Sequence, residues 1–326
     1  MNAPTSAAQT LEFRLLNEFQ RDFPLVPRPF AEIAARLCSD EDTVLKLLRH
    51  LRDDGTISRV GAVFAPRAVG ASTLAAMAVP KERLDAVAAL VSARPGVNHN
   101  YEREHRYNLW FVATAPDETA LAALLGELGE ATGCPPIALP LVEEYHIDLG
   151  FDLLHGGKVR QVARRCERRP TGPADRRLIA ALQPGLPLVP RPFAELAAQL
   201  GLAESALVGR LAEWLAEGCI KRFGVVVRHH ELGFRANAMV VFDIPDDEVD
   251  VIGQRLAGEA GVTLCYRRER HLPQWRYNLF CMVHGRTREA VVPVIERLAR
   301  LAGYPCEALF SLRRFKQCGA RYFDAS

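Results

Sequence analysis

The sequence predicts an α+β protein made of two tandem copies of one domain pair, a winged helix-turn-helix unit followed by a ferredoxin-like βαββαβ unit. Two observations lead to this fold class. The octapeptide LVPRPFAE occurs at residues 25–32 and again at residues 188–195, which indicates an internal duplication. Within each copy, a stretch with apolar residues at helical spacing is followed by strand patterns that alternate with helix patterns. This order is typical of these two units.

The repeat extends well beyond the octapeptide. GTISRVG at residues 55–61 matches GCIKRFG at 218–224, and Tyr-Asn-Leu at 107–109 recurs at 277–279. The offset grows from 163 residues (25 to 188) to 170 residues (107 to 277), so the second copy contains insertions. The predicted domains are a winged unit (1–66), a ferredoxin-like unit (67–157), a basic linker (158–172), a second winged unit (173–230) and a second ferredoxin-like unit (231–326).

Each winged unit is predicted from helix patterns followed by a strand pattern. The first copy has helix patterns at residues 12–22, 29–37 and 41–53 and a strand pattern at 57–64, and the second copy repeats them from about residue 174 to 227. Pro29 suits a helix start, where its missing N–H group is not needed. Ser39 is predicted to cap the third helix, and the acidic residues 41 and 42 favour its positive end.

Each ferredoxin-like unit is predicted from strand patterns with two intervening helices. The first copy has strands at 73–79, 97–103, 106–114 and 137–147, with helices at 81–92 and 117–131. The second copy has strands at 236–244, 262–268, 276–284 and 307–316, with helices at 246–256 and 287–301.

Composition excludes several classes of protein. The hydrophobic fraction of 49% and the net charge of +2 fit a globular chain without the basic excess of a dedicated nucleic-acid binder. No apolar run approaches the roughly 18 residues that span a bilayer, and the N-terminus does not resemble a secretory signal. Eight cysteines without a CxxC spacing make a zinc site unexpected. We therefore expect a cytoplasmic protein with reduced thiols and no membrane association.

The most informative stretch is NHNYEREHRYNLW at residues 98–110, on the predicted central hairpin. Strand alternation places His99, Tyr101 and Arg103 on one face, with His105 as a further candidate. Such polar groups suit a core poorly, because each needs a partner when buried. Arginine binds carboxylates through two parallel hydrogen bonds, and histidine transfers protons near neutral pH. The pattern predicts a site that binds an anion and handles protons.

The second copy carries a related stretch, CYRRERHLPQWRYNLF at residues 265–280. Tyr266 and Arg268 match Tyr101 and Arg103, but Leu264 replaces His99. His271 lies in a longer loop, and its alignment with His105 is open. This face is predicted to bind a ligand without the full catalytic equipment of the first.

Four further residues are candidates because they occupy matched positions in the two copies. Arg59 and Arg222 fall in the predicted wings, and His146 and Lys316 fall in the final strands. A solvated surface position is the alternative for each of them. The sequence contains no glycine-rich phosphate loop, nucleophile elbow or clustered carboxylate pair, which argues against nucleotide-dependent enzymes and hydrolases.

The order of units resembles the Lrp/AsnC regulators. The stretches FPLVPRPFAEIA, DGTISRVGAVF, NHNYEREHRYNLWF and CYRRERHLPQWRYNLFCMVHG are similar to those of a narrower branch, the siroheme decarboxylases of heme d1 and alternative heme biosynthesis. The first copy resembles the D-type chain and the second the L-type chain, so the whole protein resembles a D–L fusion.

This resemblance implies removal of CO2 from the acetate groups at C12 and C18 of siroheme, giving 12,18-didecarboxysiroheme. It implies no cofactor, because the iron belongs to the substrate, and no nucleic-acid partner. It also implies a pseudo-dimer of the two halves through their ferredoxin-like sheets, with related decarboxylase chains as candidate partners.

On this hypothesis His99 and His105 donate and accept protons, although one of them could instead ligate the substrate iron. Tyr101 and Arg103 bind peripheral carboxylates. The other substrate-binding candidates are Arg59, His146, Arg222, Tyr266, Arg268, His271 and Lys316.

The competing hypothesis is a tandem Lrp/AsnC-like transcription regulator that senses a tetrapyrrole or another small ligand. A recognition helix needs outward cations, and the first copy offers Lys46, Arg49 and Arg52. The corresponding helix at residues 204–217 has Arg210 as its one cation among three glutamates. This asymmetry favours the enzyme.

Overall fold

A computed structural model describes residues 10–65, 68–147, 172–228 and 236–324 of the chain. The first half contains α1 (Leu11–Glu18), α2 (Pro29–Arg36), α3 (Glu41–Asp53), β1 (Ile57–Phe64), β2 (Ala71–Met77), α4 (Leu84–Ala93), β3 (Val97–Arg103), β4 (Leu109–Ala115), α5 (Glu118–Thr132) and β5 (Ile137–Ile147). The second half contains α6 (Pro173–Leu182), α7 (Pro192–Leu200), α8 (Glu204–Ala216), β6 (Ile220–Val227), β7 (Ala236–Phe242), α9 (Val249–Ala257), β8 (Val262–Arg268), β9 (Leu279–Gly285), α10 (Arg288–Ala302) and β10 (Cys306–Gln317). The predicted fold class is confirmed. Residues 158–171 of the predicted linker lie outside the described residues.

The cap of α3 differs from the prediction by one residue. Asp40, not Ser39, is the N-cap, and its side chain accepts a hydrogen bond from the Thr43 N–H at 2.9 Å. Cys38 has a φ of 54°, and the Ser39 N–H donates to the Ala34 carbonyl at 2.8 Å. The backbone of Ser39 therefore belongs to the C-terminal turn of α2, and Asp40 is the first residue able to cap α3.

The two winged units interlock through their strands. β1 and β6 pair with each other across the halves in an antiparallel ribbon, with Gly61 opposite Gly224. The Val225 N–H donates to the Phe19 carbonyl at 2.8 Å, and reciprocally the Leu186 N–H donates to the Val60 carbonyl at 2.7 Å. Helices from both halves share one apolar core around this ribbon. The ribbon is consequently held from both sides.

The ferredoxin-like units close into one barrel with the strand order β10-β3-β4-β2-β5-β8-β9-β7. Each half has the strand order of a ferredoxin-like sheet. The strand pairs β10–β3 and β5–β8 join the two halves. Matched contacts cross both joints: the Arg103 Nη1 donates to the Leu309 carbonyl at 3.0 Å, and the Arg268 Nη1 donates to the Leu139 carbonyl at 2.7 Å. Helices α4 and α5 cover one half of the barrel and α9 and α10 the other. Closure leaves these strands without open edges.

Strands β4 and β9 begin three residues later than predicted, because an asparagine precedes each one. The Asn108 side chain bonds both the N–H and the carbonyl of Val79, at 3.0 and 2.8 Å. Asn278 makes the same pair of bonds to Ile244, at 3.0 and 2.9 Å. These amides replace ladder bonds and hold the hairpin loops. In the described parts of the chain, no helix is both long and apolar enough to cross a bilayer.

Candidate active site

A cavity of about 460 Å³ lies between the barrel interior and the β1–β6 ribbon. Its volume is in the range of small-molecule sites. The barrel contributes inward-facing residues of both halves, the ribbon contributes Arg59 and Arg222, and residues 317–322 contribute part of the rim. The opposite end of the barrel interior is filled by large apolar side chains, including Trp110, Trp275 and Phe280. Among the described residues, these side chains therefore close that end of the barrel interior to a ligand.

The charge of this cavity is one-sided. Its described lining residues include no aspartate, glutamate or lysine, but they include the arginines Arg59, Arg103, Arg222, Arg228 and Arg268. The Nε atoms of Arg59, Arg103, Arg228 and Arg268 are buried without a hydrogen-bond partner among the described residues. A buried cation without a counter-ion is costly, and burial lowers the pKa of Arg103 to about 10. The arrangement fits a ligand that carries several negative charges.

The two predicted tyrosine–arginine pairs both reach the cavity. Arg103 lies 5.8 Å from the ring centre of Tyr101, and Arg268 lies 4.6 Å from that of Tyr266. Burial raises the pKa of the Tyr101 phenol, so this group stays protonated at neutral pH. Each guanidinium is held by a carbonyl of the other half, as described above. Both pairs can therefore present hydrogen-bond donors to a ligand in fixed orientations.

His99 faces the cavity as predicted. Its ring stacks on Tyr101 with centroids 6.1 Å apart. Burial lowers its pKa to about 4, and the charge of nearby Arg59 adds to this effect. His99 is therefore neutral at neutral pH and can take up a proton when an anion enters.

The structure adds an imidazole that the sequence analysis missed. His284 lines the cavity from β9, and its Nδ1 lies 2.8 Å from the Thr263 Oγ1. Burial lowers its pKa to about 4, with the charge of Arg103 as the second cause. The alternation along LFCMVHG already places His284 on the face of Phe280 and Met282. The sequence signal for this imidazole therefore lies on the strand after the one that matches His99, and the prediction that the second half binds without full catalytic equipment stays a prediction.

His105 does not join His99, and the predicted shared face ends at Arg103. β3 stops there, and the Glu104 N–H donates to the Phe310 carbonyl at 2.9 Å, so the chain turns away onto β10. The His105 ring packs edge-on against Trp275 at 5.5 Å, and Trp275 lies 5.0 Å from Trp110, a residue of the cavity wall. Trp275 therefore separates His105 from the cavity.

The contacts of His105 instead join the two halves. Its Nδ1 accepts a hydrogen bond from the Tyr107 N–H at 2.9 Å, and its Nε2 lies 3.4 Å from the Glu307 Oε1. Tyr277 donates to the other oxygen of the same carboxylate at 2.7 Å. Burial lowers the pKa of His105, so the neutral form is favoured.

Replacing His105 by alanine should accordingly lower stability rather than chemistry. We expect a loss of about 2 kcal/mol in the free energy of unfolding, from the lost packing and hydrogen bonds. Turnover per folded molecule should stay within a few-fold of the wild type. Thermal melting and steady-state rates on the same sample check this, and a folded variant without turnover would contradict the structural role.

The three remaining candidates also lie outside the cavity lining. Lys316 donates to the carbonyls of Ser92 and Arg94, at 2.7 and 2.9 Å, and so stabilises the end of α4 rather than a ligand. His146 is half-buried on β5 opposite Cys265, where β-bulges change the strand's alternation. His271 pairs through its backbone with Trp275 in the long hairpin loop. Position along a strand alone could not have excluded them.

Comparison with known proteins gives a consistent result. A family model described as "Siroheme decarboxylase NirDL-like HTH domain" matches residues 12–57 and 175–220, and one described as "AsnC-like ligand binding domain" matches 68–146 and 231–316. The siroheme decarboxylase NirDL subunit of Paracoccus pantotrophus is 47% identical over 95% of this chain and 96% of its own length. The siroheme decarboxylase of Hydrogenobacter thermophilus is 32% identical over 95% of this chain and 94% of its own.

Solved structures agree with these relatives. A crystal structure of the siroheme decarboxylase NirDL matches with a TM-score of 0.73 and 30% identity, covering 97% of this chain and 95% of that one. A second, in complex with an iron-uroporphyrin III analogue, matches with a TM-score of 0.70 at 30% identity, covering 96% and 93%.

Proposed function

The chain belongs to the siroheme decarboxylase family, and from this premise we propose that it removes the acetate carboxyl groups at C12 and C18 of siroheme, giving 12,18-didecarboxysiroheme for heme d1 biosynthesis. The observation that carries the proposal is the cavity itself, which is lined by arginines and neutral imidazoles and, among its described residues, by no acidic side chain. Siroheme is an iron tetrapyrrole with many carboxylates, so its negative charges can pair with the arginines of the cavity. The iron enters with the substrate, and we propose no resident cofactor.

The reaction consumes one proton for each carboxyl group lost. Protonation of the ring carbon next to the one that bears the acetate leaves the acetate-bearing carbon electron-deficient, which creates an electron sink. The bond between the acetate CH2 and its carboxylate then breaks, CO2 leaves, and the electron pair of that bond forms an exocyclic methylene on the acetate-bearing carbon. Protonation of this methylene and loss of the proton from the neighbouring ring carbon complete a methyl group.

His99 and His284 are proposed to handle these protons. Both imidazoles are neutral in the ligand-free protein because burial and a neighbouring arginine lower each pKa to about 4. Bound carboxylates have the opposite effect and raise the pKa of a nearby imidazole. Substrate binding therefore favours protonation of each histidine beside a carboxylate group of the substrate.

The arginines are proposed to bind the peripheral carboxylates of the substrate. Arg103 on β3 and Arg268 on β8 are suited to carboxylates on opposite sides of the tetrapyrrole. Each is held by an equivalent carbonyl of the other half. Arg59 and Arg222 reach the same cavity from the ribbon. Carboxylates that are held but do not react orient the ring, and orientation of this kind contributes strongly to catalysis.

The regulator hypothesis loses support from the state of α3. Lys46 pairs with Asp42 at 2.6 Å, Arg49 donates to the Leu188 carbonyl at 2.7 Å, and Arg52 pairs with Asp53 at 3.0 Å. Arg49 is thereby held within the protein, and Lys46 and Arg52 each have an acidic neighbour whose charge opposes phosphate binding. We propose that the protein has no nucleic-acid partner.

The test is to mix the purified protein anaerobically with siroheme and to follow the product mass. We expect loss of two CO2 units. Loss of one would restrict the proposal to a single carboxyl group. Unchanged mass with tight binding and a shifted Soret band, together with salt-dependent DNA binding, would overturn the proposal in favour of a tetrapyrrole-sensing regulator.

A further inference from the structure

The segment after β10, residues 318–324, forms a strap along the cavity rim. The Cys318 N–H donates to the Asn98 carbonyl at 2.8 Å, and the Thr114 hydroxyl donates to the Arg321 carbonyl at 2.8 Å. The strap thus runs across the ends of β3 and β4 in the first half. Cys318, Gly319, Ala320 and Tyr322 all line the cavity.

The far end of the strap is held by one side chain of the second winged unit. Gln183, directly after α6, donates to the Phe323 carbonyl at 2.7 Å, and its oxygen accepts from the N–H groups of Phe323, at 3.1 Å, and of Tyr322. Gln183 is 9% exposed and Tyr322 is 6% exposed, and Tyr322 packs into the core of the winged units. A buried amide that satisfies three backbone groups fixes the course of the strap.

Arg59 lies in a narrow slot whose two walls are glycines of the second half. A Cβ added at Gly319 would lie 2.6 Å from the Arg59 Nη1, and one added at Gly185, where φ is +102°, would lie 2.7 Å from the Arg59 Cβ. The Arg59 guanidinium donates to the Ala62 carbonyl at 3.0 Å, and its Nε has no partner among the described residues. The walls of the slot therefore contribute strongly to the position of this group.

We propose that the strap is a positioning element for the substrate, in which Gly319 holds the Arg59 guanidinium beside His99. The inference rests on the proposed function, since Arg59 then binds a carboxylate of the tetrapyrrole next to the group that handles protons. Gly319 does not itself contact the reacting atoms. It acts by leaving the space that Arg59 occupies, so a side chain there moves the guanidinium rather than the strap backbone, because the guanidinium is the flexible end of the contact.

The variants are Gly319→Val, the smaller Gly319→Ala, Arg59→Ala, and the double variant of Gly319→Val with Arg59→Ala. Gly126→Ala is the matched control, because an added Cβ at that helical glycine meets nothing within 4 Å. Melting temperature checks folding, and Gly319→Ala replaces Gly319→Val if the valine variant does not fold. Decarboxylation rate and Soret titration with iron-uroporphyrin III report on function.

A displacement of the guanidinium by about 1 Å should lower the decarboxylation rate of Gly319→Val by about 10- to 100-fold. The double variant should then be no slower than Arg59→Ala, because two changes that act through one group are not additive. Gly126→Ala should match the wild type. Additive losses in the double variant, or a folded Gly319→Val with wild-type rate and affinity, would overturn the inference.

A second readout needs no substrate and so separates this inference from the proposed function. The charge of Arg59 contributes to the low pKa of His99. Titration of isotope-labelled histidine by NMR should show this pKa rising toward its ordinary value in both Gly319→Val and Arg59→Ala, but not in Gly126→Ala. If the pKa of His99 rises in Arg59→Ala but not in Gly319→Val, the strap does not position Arg59, and this conclusion holds whether or not the wild type decarboxylates siroheme.

Discussion

Replacement of His99 by alanine is expected to lower the rate of siroheme decarboxylation by about 10²- to 10⁴-fold, the usual contribution of a positioned acid or base. The affinity for the tetrapyrrole should change only a few-fold, because arginines supply the binding groups. His284→Ala should show a loss of the same order. If each histidine serves one acetate, each variant should accumulate a product that has lost a single CO2.

Single-turnover mass analysis together with Soret titration separates rate from binding. His50→Ala is the matched control, since the His50 side chain is 73% exposed on α3, outside the cavity. A folded His99→Ala that removes both carboxyl groups at the wild-type rate would exclude His99 from proton transfer. Loss of a low-spin iron spectrum in His99→Ala would identify His99 as a ligand of the substrate iron instead.

The ligand-free protein is expected to lose stability steeply as the pH falls from 6.5 to about 4. His99 and His284 have pKa values lowered from 6.5 to about 4 in the folded state, so the unfolded chain binds more protons than the folded one in this window. The stabilisation is therefore present above pH 6.5 and is lost as the pH falls through 4. Each shift corresponds to about 3 kcal/mol, which is a substantial fraction of a typical net stability of about 5–15 kcal/mol.

Denaturant unfolding at a series of pH values measures this dependence. His99→Gln and His284→Gln should each flatten the curve between pH 6.5 and 4, and His50→Gln should leave it unchanged. His105, whose pKa is also lowered by burial, contributes with the same sign. A bound iron-uroporphyrin should reduce the slope, because its carboxylates favour the protonated imidazoles. If the free energy of unfolding of the ligand-free wild type does not change between pH 6.5 and 4, the two histidines are hydrated and their pKa values are not lowered by folding.

Most of the secondary structure could be predicted because it depends on local pattern. The helix Glu41–Asp53 and the strands Ile57–Phe64, Val97–Arg103 and Val262–Arg268 have the predicted bounds. The main errors arise where a side chain replaces a ladder bond, as Asn108 and Asn278 do before β4 and β9. Local pattern also placed His99, Tyr101 and Arg103 on one strand face, and the structure brings all three into the cavity.

The sequence by itself determined the duplication, the α+β units and the residue types of the site, because repeats and alternation can be read along a single chain. Only the tertiary structure decided which of those residues meet. Barrel closure joins β3 to β10 and β5 to β8, so His284 and Arg103 from different halves become neighbours. The same closure places His105 behind Trp275 and directs Lys316 to the end of α4. These contacts join residues that are far apart in the sequence and depend on how strand edges pair, and no local pattern encodes that pairing.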